Sequence, residues 1–372
     1  MINKIHPELL KEVSVLGCNV LDCVLYANNF DVVENKLKSS KVDYVAYPFI
    51  NCFCAKLPKS LILNFGNLIS VDFITKNTKV FTLINRAKQF INLSNLPINY
   101  VCPTIAFIDT GISPHLDFLL PFNRIIHFKD LVNKRIIPYD DNGHGTFITG
   151  VACGAGIVNR DYSGIAPNAN IVMIKALDKN GETNSQNILE AMQYIYNIRK
   201  KYNIKVVCMS FGAEYLGEND PLQKGALALW NSGIVVVAAA GNSGPEQSSI
   251  KSPGTSSRII TVGGLDDGRN DGEIKIADFS SRGPVNYRFK PDLVAPSVDI
   301  TSTNSNYKSS FYTTMSGTSV ATPIIAGICA RLCANLPQSS PDKIKYNLLN
   351  LCTPLTHNKN EEGYGYLKFW SK

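Results

Sequence analysis

From about residue 101 onward, short apolar runs alternate with stretches of helical period. Residues 104–108, 170–176, 205–209, 234–240 and 259–262 are close to continuous in Val, Ile and Ala. Between them, residues 185–202 and 222–232 repeat apolar positions at helical spacing. Strands apolar on both sides, separated by helices, predict a parallel sheet covered on both faces. The expectation is therefore an α/β, three-layer domain over residues 98–372. Sites in such sheets form at the carboxyl ends of the strands, and Asp109, Ser210 and Asn242 all fall at such ends.

Residues 1–97 follow another rhythm. A strand is expected at 20–26, a helix at 30–37 and two short strands within 44–56. A helix at 59–68 and a closing strand pair at 69–83 complete the set. That order predicts a small α+β domain of ferredoxin-like type. Residues 86–100, with Asn92, Ser94, Asn95 and Pro97, read as a linker.

The most informative stretch is Ser316-Gly317-Thr318-Ser319-Val320-Ala321-Thr322-Pro323, which runs into Ile324–Ala330. A polar, small-residue turn opens a helix that is apolar nearly all round, so the helix belongs in the interior. Pro323 is expected in its first turn, where no N–H partner is lost. Ser319 then sits at the helix N-terminus, where unpaired N–H groups favour developing negative charge. A serine nucleophile needs a base. His144 lies in Asp140-Asp141-Asn142-Gly143-His144-Gly145-Thr146, just ahead of a small-residue helix through Cys153. A lone histidine is usually structural, but His6, His115, His127 and His357 have no comparable setting.

Asp109, in Asp-Thr-Gly after a buried strand, is a carboxylate that could orient that imidazole. It could also be half of an aspartic dyad. A second Asp-Thr/Ser-Gly is absent, so a dyad would require a symmetric dimer and would show an acidic optimum. A plain strand-end turn is the third reading. Asn242, in Gly241-Asn242-Ser243-Gly244, is either a turn residue or an amide donor to an oxyanion. The joint occurrence of all four, each at a strand end or helix start, is what carries weight.

These residues resemble the subtilisin-like serine proteases, the subtilases. The matching segments are Ile108–Gly111, Asn142–Thr146, Ala239–Asn242 and Gly317–Pro323, with Ser280–Pro284 and Lys290–Pro296. The resemblance covers about Val101 to Phe369, in the order Asp, His, Ser. Pro138–His144 and Gly263–Asp267 are most like the intracellular bacterial type. The resemblance implies that Ser319 attacks a peptide carbonyl, His144 moves its proton and Asp109 holds the imidazole. Asn242 and the Ser319 N–H would bind the oxyanion. Ser210, Phe211 and Gly212, with the backbone near Gly181, would pair with an extended polypeptide substrate. Lys251, just ahead of Ser252-Pro253-Gly254, would line the first specificity pocket and favour an acidic side chain, unless it points to solvent. Phe147 stands where a second histidine is usual, and Ser297 where glycine often is. The N-terminal domain resembles the family's propeptide in length and element order. As such it would be a folding template and intramolecular inhibitor, removed by self-cleavage between about Phe90 and Pro103. A permanently attached accessory domain is the other reading. A non-catalytic subtilase that only binds would be expected to lack Asp109, His144 or Ser319; all are present.

Composition narrows the rest. The net charge is +7, but Lys and Arg are spread along the chain, and no nucleic-acid partner is expected. The apolar stretch 233–241 is too short to span a bilayer, so no membrane partner is expected either. The N-terminus lacks a signal-peptide pattern, which implies a cytoplasmic enzyme, with non-classical release left open. The ten cysteines lack zinc spacing and read as reduced, buried thiols. The chemistry would need no cofactor. Structural calcium is conceivable, but Asp266, Asp267, Asn270 and Asp271 do not match an EF-hand.

Overall fold

The computed structural model describes residues 4–14, 20–77, 79–82, 103–268 and 273–367. Residues 83–102 lie outside it, and with them the expected linker, the expected domain boundary and nearly all of the expected processing window.

The N-terminal part comprises helix α1 (Pro7–Ser14), strand β1 (Val20–Ala27), α2 (Phe30–Ser39), β2 (Tyr44–Tyr47), β3 (Cys52–Pro58), α3 (Lys59–Gly66) and β4 (Val71–Lys76). Its sheet runs in the order β2-β3-β1-β4, and β1 is antiparallel to both neighbours. This is the ferredoxin-like arrangement expected from the pattern. Helix α1 was not expected; it docks through Leu9, which is fully buried. Alternation along β1 sorts two interiors. Leu21, Cys23 and Leu25 join Val33, Leu37, Ile62 and Phe65 in a small core beneath α2 and α3. Val24 and Tyr26 belong instead to the large core of the following domain. Both faces of this small sheet are therefore covered.

The closing strand pair expected at 69–83 is not a hairpin. β4 completes the sheet, but β5 (Lys79–Thr82) leaves it and pairs with strands of the large domain. The apolar pattern located both strands. It could not distinguish a local partner from a distant one, since an edge strand satisfies its backbone groups equally well on either.

The large domain starts with β6 (Thr104–Asp109), α4 (Leu116–Leu119), β7 (Ile125–Asp130), α5 (His144–Cys153) and β8 (Ile171–Lys175). β9 (Glu182–Asn184), α6 (Ser185–Ile198), β10 (Ile204–Met209), β11 (Phe211–Ala213), α7 (Pro221–Asn231) and β12 (Val235–Ala239) follow. The C-terminal third holds β13 (Ile260–Asp266), β14 (Lys275–Ile276), β15 (Leu293–Pro296), the hairpin β16 (Ile300–Thr303) and β17 (Tyr312–Met315), α8 (Thr318–Asn335) and α9 (Pro341–Leu349). The central sheet runs in the order β15-β13-β12-β10-β6-β8-β7, parallel along this path, with the short β14 paired antiparallel to β13. Helices α5 and α8 pack together as one layer and α6 with α7 as the other. From β6 the chain goes out to β8 and β7 on one side, then crosses to β10 on the other. The carboxyl ends of β6 and β10 therefore flank a topological switch point, where open α/β sheets form crevices.

The small sheet rests on α6 and α7. The Tyr47 hydroxyl donates to the Gln186 carbonyl at 3.2 Å. The Lys224 ammonium lies 3.9 Å from the centre of the Tyr26 ring, and Phe49 packs on Tyr196. No helix among the described residues is long and apolar enough to cross a membrane.

Candidate active site

Asp109 ends β6 and His144 begins α5. The His144 Nδ1 lies 2.7 Å from Asp109 Oδ1, with both side chains buried. The same carboxylate oxygen accepts the Thr110 N–H at 2.7 Å. Nδ1 therefore carries the proton, and Nε2 is left as the acceptor. That nitrogen is buried and makes no hydrogen bond.

The approach of α5 to the end of β6 requires Gly145. A Cβ there would lie 2.2 Å from the Gly111 carbonyl oxygen. The helix start is fastened by Asp140. Its Oδ1 accepts from Thr110 Oγ1, Asn142 N and Gly143 N, and its Oδ2 from both the N–H and the hydroxyl of Thr146. One carboxylate thus ties the Asp109–Thr110 turn to the first turn of α5. Lys175, fully buried, bonds the Thr110 carbonyl at 2.5 Å and the Asp141 carboxylate at 2.6 Å. Neither residue was assigned this positioning part from the sequence. The signal was present, since an aspartate accepts local N–H groups ahead of a helix.

Ser319 is the second residue of α8 and is buried. Beside it, the Asn242 Oδ1 accepts two bonds, from Thr318 N and from Thr318 Oγ1, both at 2.9 Å. The Thr318 hydroxyl in turn accepts from Gly241 N. These bonds fix the orientation of the Asn242 amide. Its Nδ2 is buried and unpartnered, which makes it a donor with nothing yet to donate to. The Ser319 hydroxyl does not hydrogen-bond to His144 Nε2; such bonds are often loose before substrate binds.

Pro323 departs from expectation. It is the sixth residue of α8 and lies inside the helix. Its missing N–H would have served the Ser319 carbonyl. The Ser210 hydroxyl takes that role instead, donating to the Ser319 carbonyl at 2.9 Å. The Ser210 side chain thus braces the helix tip.

Phe211 and Gly212 lie in β11, which pairs with β5. The register sets Thr82 against Phe211, Phe81 against Gly212 and Val80 against Ala213. On its other edge β5 pairs with β9, Val80 against Thr183 and Phe81 against Glu182. Gly181 sits just before that ladder, its N–H bonded to the Asp178 carbonyl. The slot expected for an extended polypeptide thus holds the protein's own strand.

Of the other residues singled out, Phe147 is buried within α5. Ser297 is buried, and its hydroxyl donates to the Leu265 carbonyl. His115 bonds the Phe311 carbonyl at 2.9 Å and His127 stacks against Tyr194 and Tyr202, so both are packing groups. Among the described residues, no three His, Cys, Asp or Glu side chains cluster to hold a metal; Asn270 and Asp271 lie outside them.

A family model described as the subtilase family matches residues 103–366. The chain belongs to that family. Serine protease AprX of Bacillus subtilis (strain 168) is 37% identical to this subtilase over 329 residues, 81% of this chain and 74% of the relative. Thermitase of Thermoactinomyces vulgaris is 33% identical over 219 residues, 59% of this chain and 70% of the relative. The chain spans about half the length of another relative, the thermophilic serine proteinase of Bacillus sp. (strain AK1), at 48%. Among solved structures, fervidolysin from Fervidobacterium pennivorans, described as a keratinolytic enzyme related to subtilisin, superposes with a TM-score of 0.74. At 19% identity, over 94% of this chain and 60% of that one, it speaks to the fold alone.

Proposed function

We propose that this subtilase is a serine-type endopeptidase that hydrolyses peptide bonds through an acyl-enzyme on Ser319. The observation carrying this reading is the short Asp109–His144 contact with the distal imidazole nitrogen left unpaired, on the rim that holds Ser319 and Asn242. In the mechanism, His144 Nε2 takes the proton from the Ser319 hydroxyl as its oxygen attacks the carbonyl carbon. The imidazolium formed is stabilised by the Asp109 carboxylate 2.7 Å away. The negative oxygen of the tetrahedral intermediate is received by Asn242 Nδ2 and by the N–H of Ser319 at the start of α8. His144 then gives its proton to the departing amine, and water repeats the sequence to free the acid. Each step uses this chain's own side chains and backbone.

The enzyme is made as a zymogen. Strand β5 fills the position between β9 and β11 that an extended polypeptide would take by strand addition. The N-terminal domain, packed on α6 and α7, delivers that strand and so acts as an intramolecular inhibitor. Because β5 runs toward Ser210, self-cleavage follows Thr82, in the stretch that ends at Pro103.

A cytoplasmic setting is supported by the cysteines: the eight among the described residues are free thiols, seven of them buried, as suits packing groups in a reducing compartment.

A fluorophosphonate probe and a time course of chain size test the reading together. The wild type is expected to label and to shorten, with a new N-terminus between residues 83 and 103. Ser319→Ala is expected to do neither. A wild type that does not label returns the chain to a binding role.

A further inference from the structure

Lys251 is the one residue of the expected substrate wall whose chemistry points to a particular substrate. Its backbone N–H donates to the Ala240 carbonyl at 2.8 Å, and Ser252 exchanges two backbone bonds with Ala213. The stretch 251–252 is therefore laced to β11 on one side and to the 240–242 turn on the other. Asp220 anchors it by accepting the Ser252 hydroxyl at 2.6 Å. The lysine stem lies across Gly241, for a Cβ on that glycine would come 2.6 Å from Lys251 Cγ. Lys251 is half-buried. Among the described residues it has no ion pair and no side-chain hydrogen bond. Half-buried cations normally have a carboxylate or carbonyl partner, because losing water without one is unfavourable.

A substrate can supply the missing partner. A carbonyl oxygen received by Asn242 Nδ2 sets the side chain of the same residue beside the Gly241–Asn242 turn. Gly241 has no side chain to fill that space, and Lys251 borders it. We propose that Lys251 makes this enzyme favour Asp or Glu immediately before the bond that is cut. The proposal rests on the endopeptidase reading above. It has a consequence for maturation, since no Asp or Glu occurs between Asp72 and Asp109. One mature molecule then has no favoured bond in a neighbour's linker, and removal of the N-terminal domain depends on the proximity of the chain's own strand to Ser319.

The test uses the full chain and three peptides that differ only in the residue before the cut, Glu, Gln or Leu. Wild type is expected to cleave the Glu peptide over its neutral isostere with about a 10-fold or greater advantage in kcat/KM. Lys251→Met keeps the stem over Gly241 and removes the charge. It is expected to bring the Glu-to-Gln ratio to about one, and Lys251→Glu to push it below one. Fluorophosphonate labelling of the same variants reports whether Ser319 is still reactive. An unchanged Glu-to-Gln ratio in a Lys251→Met enzyme that labels overturns this proposal alone. A wild type that neither labels nor cleaves any of the peptides overturns the endopeptidase reading itself.

Discussion

The two corners of the site are built from different materials. The Asp109–His144 corner is fastened by formal charge. Asp140 accepts five hydrogen bonds there, and buried Lys175 ties down the Thr110 carbonyl and Asp141. The Ser319–Asn242 corner is fastened by neutral groups, namely Thr318, the Gly241 amide and the Ser210 hydroxyl. Each corner leaves one buried polar atom unpartnered, Nε2 of His144 in the first and Nδ2 of Asn242 in the second. The difference follows from the charge each must receive. In the proposed mechanism an imidazolium forms at the first corner, so a carboxylate against it helps. In the same mechanism an oxyanion forms at the second, where a fixed anion would oppose it and neutral donors suffice. Buried atoms without partners are costly to the fold. Two of them on one rim are best understood as waiting for a substrate.

The largest effect should come from the hydroxyl that both corners serve. Ser319→Ala is expected to lower kcat by about a million-fold, the scale found for a serine nucleophile acting with its base. Asn242→Ala should follow, at about 100- to 1,000-fold in kcat with little change in KM, because its Nδ2 is engaged only as negative charge develops. The pair sharpens the comparison when combined. In the Ser319→Ala background, Asn242→Ala should cost far less than in the wild type, since residues acting as a unit are not additive. Full additivity in kcat/KM would mean the second corner does not serve the first.

Much of this was legible before any coordinates, for identifiable reasons. Strand ends and helix starts announce themselves through apolar runs stopped by Asp-Thr-Gly or Gly-Asn-Ser-Gly, so Asp109, Asn242 and Ser319 could be set on one rim. The small sheet's order was legible because its elements alternate cleanly. What stayed hidden depends on long-range partners. β5 looked like half of a hairpin because nothing local says that residues 79–82 pair with residues more than a hundred positions away. Pro323 looked harmless because the helix start could be placed only to within a few residues. The bracing by Ser210 is a contact across 109 positions that no periodicity encodes.

Asp140→Asn tests the charged corner directly. The substitution replaces one acceptor oxygen with a donor that faces other donors, so at least two of the five bonds are lost. Stability is expected to fall by about 2–4 kcal/mol in urea denaturation. If Asp140 acts by positioning, kcat should fall more than KM rises. Asp140→Glu should restore part of the rate if charge at this place is what matters. A loss of stability with kcat unchanged would leave Asp140 a purely structural cap.

The smallest effect lies at the neutral corner, where the fold has replaced a backbone bond with a side chain. Ser210→Ala would leave the buried Ser319 carbonyl without a donor, because Pro323 has no N–H to offer. The expected cost is about 1–3 kcal/mol in stability, with a modest fall in kcat as the tip of α8 loosens. Pro323→Ala restores the N–H that an uninterrupted helix would point at that carbonyl. In the Pro323→Ala background, Ser210→Ala should therefore cost about 1 kcal/mol less than in the wild type, a coupling within reach of a double-mutant cycle. Urea denaturation of the four proteins measures it. A coupling of zero would mean that the hydroxyl of Ser210 and the proline are neighbours by accident. The tip of the buried helix would then owe its rigidity to Thr318 and Asn242 alone.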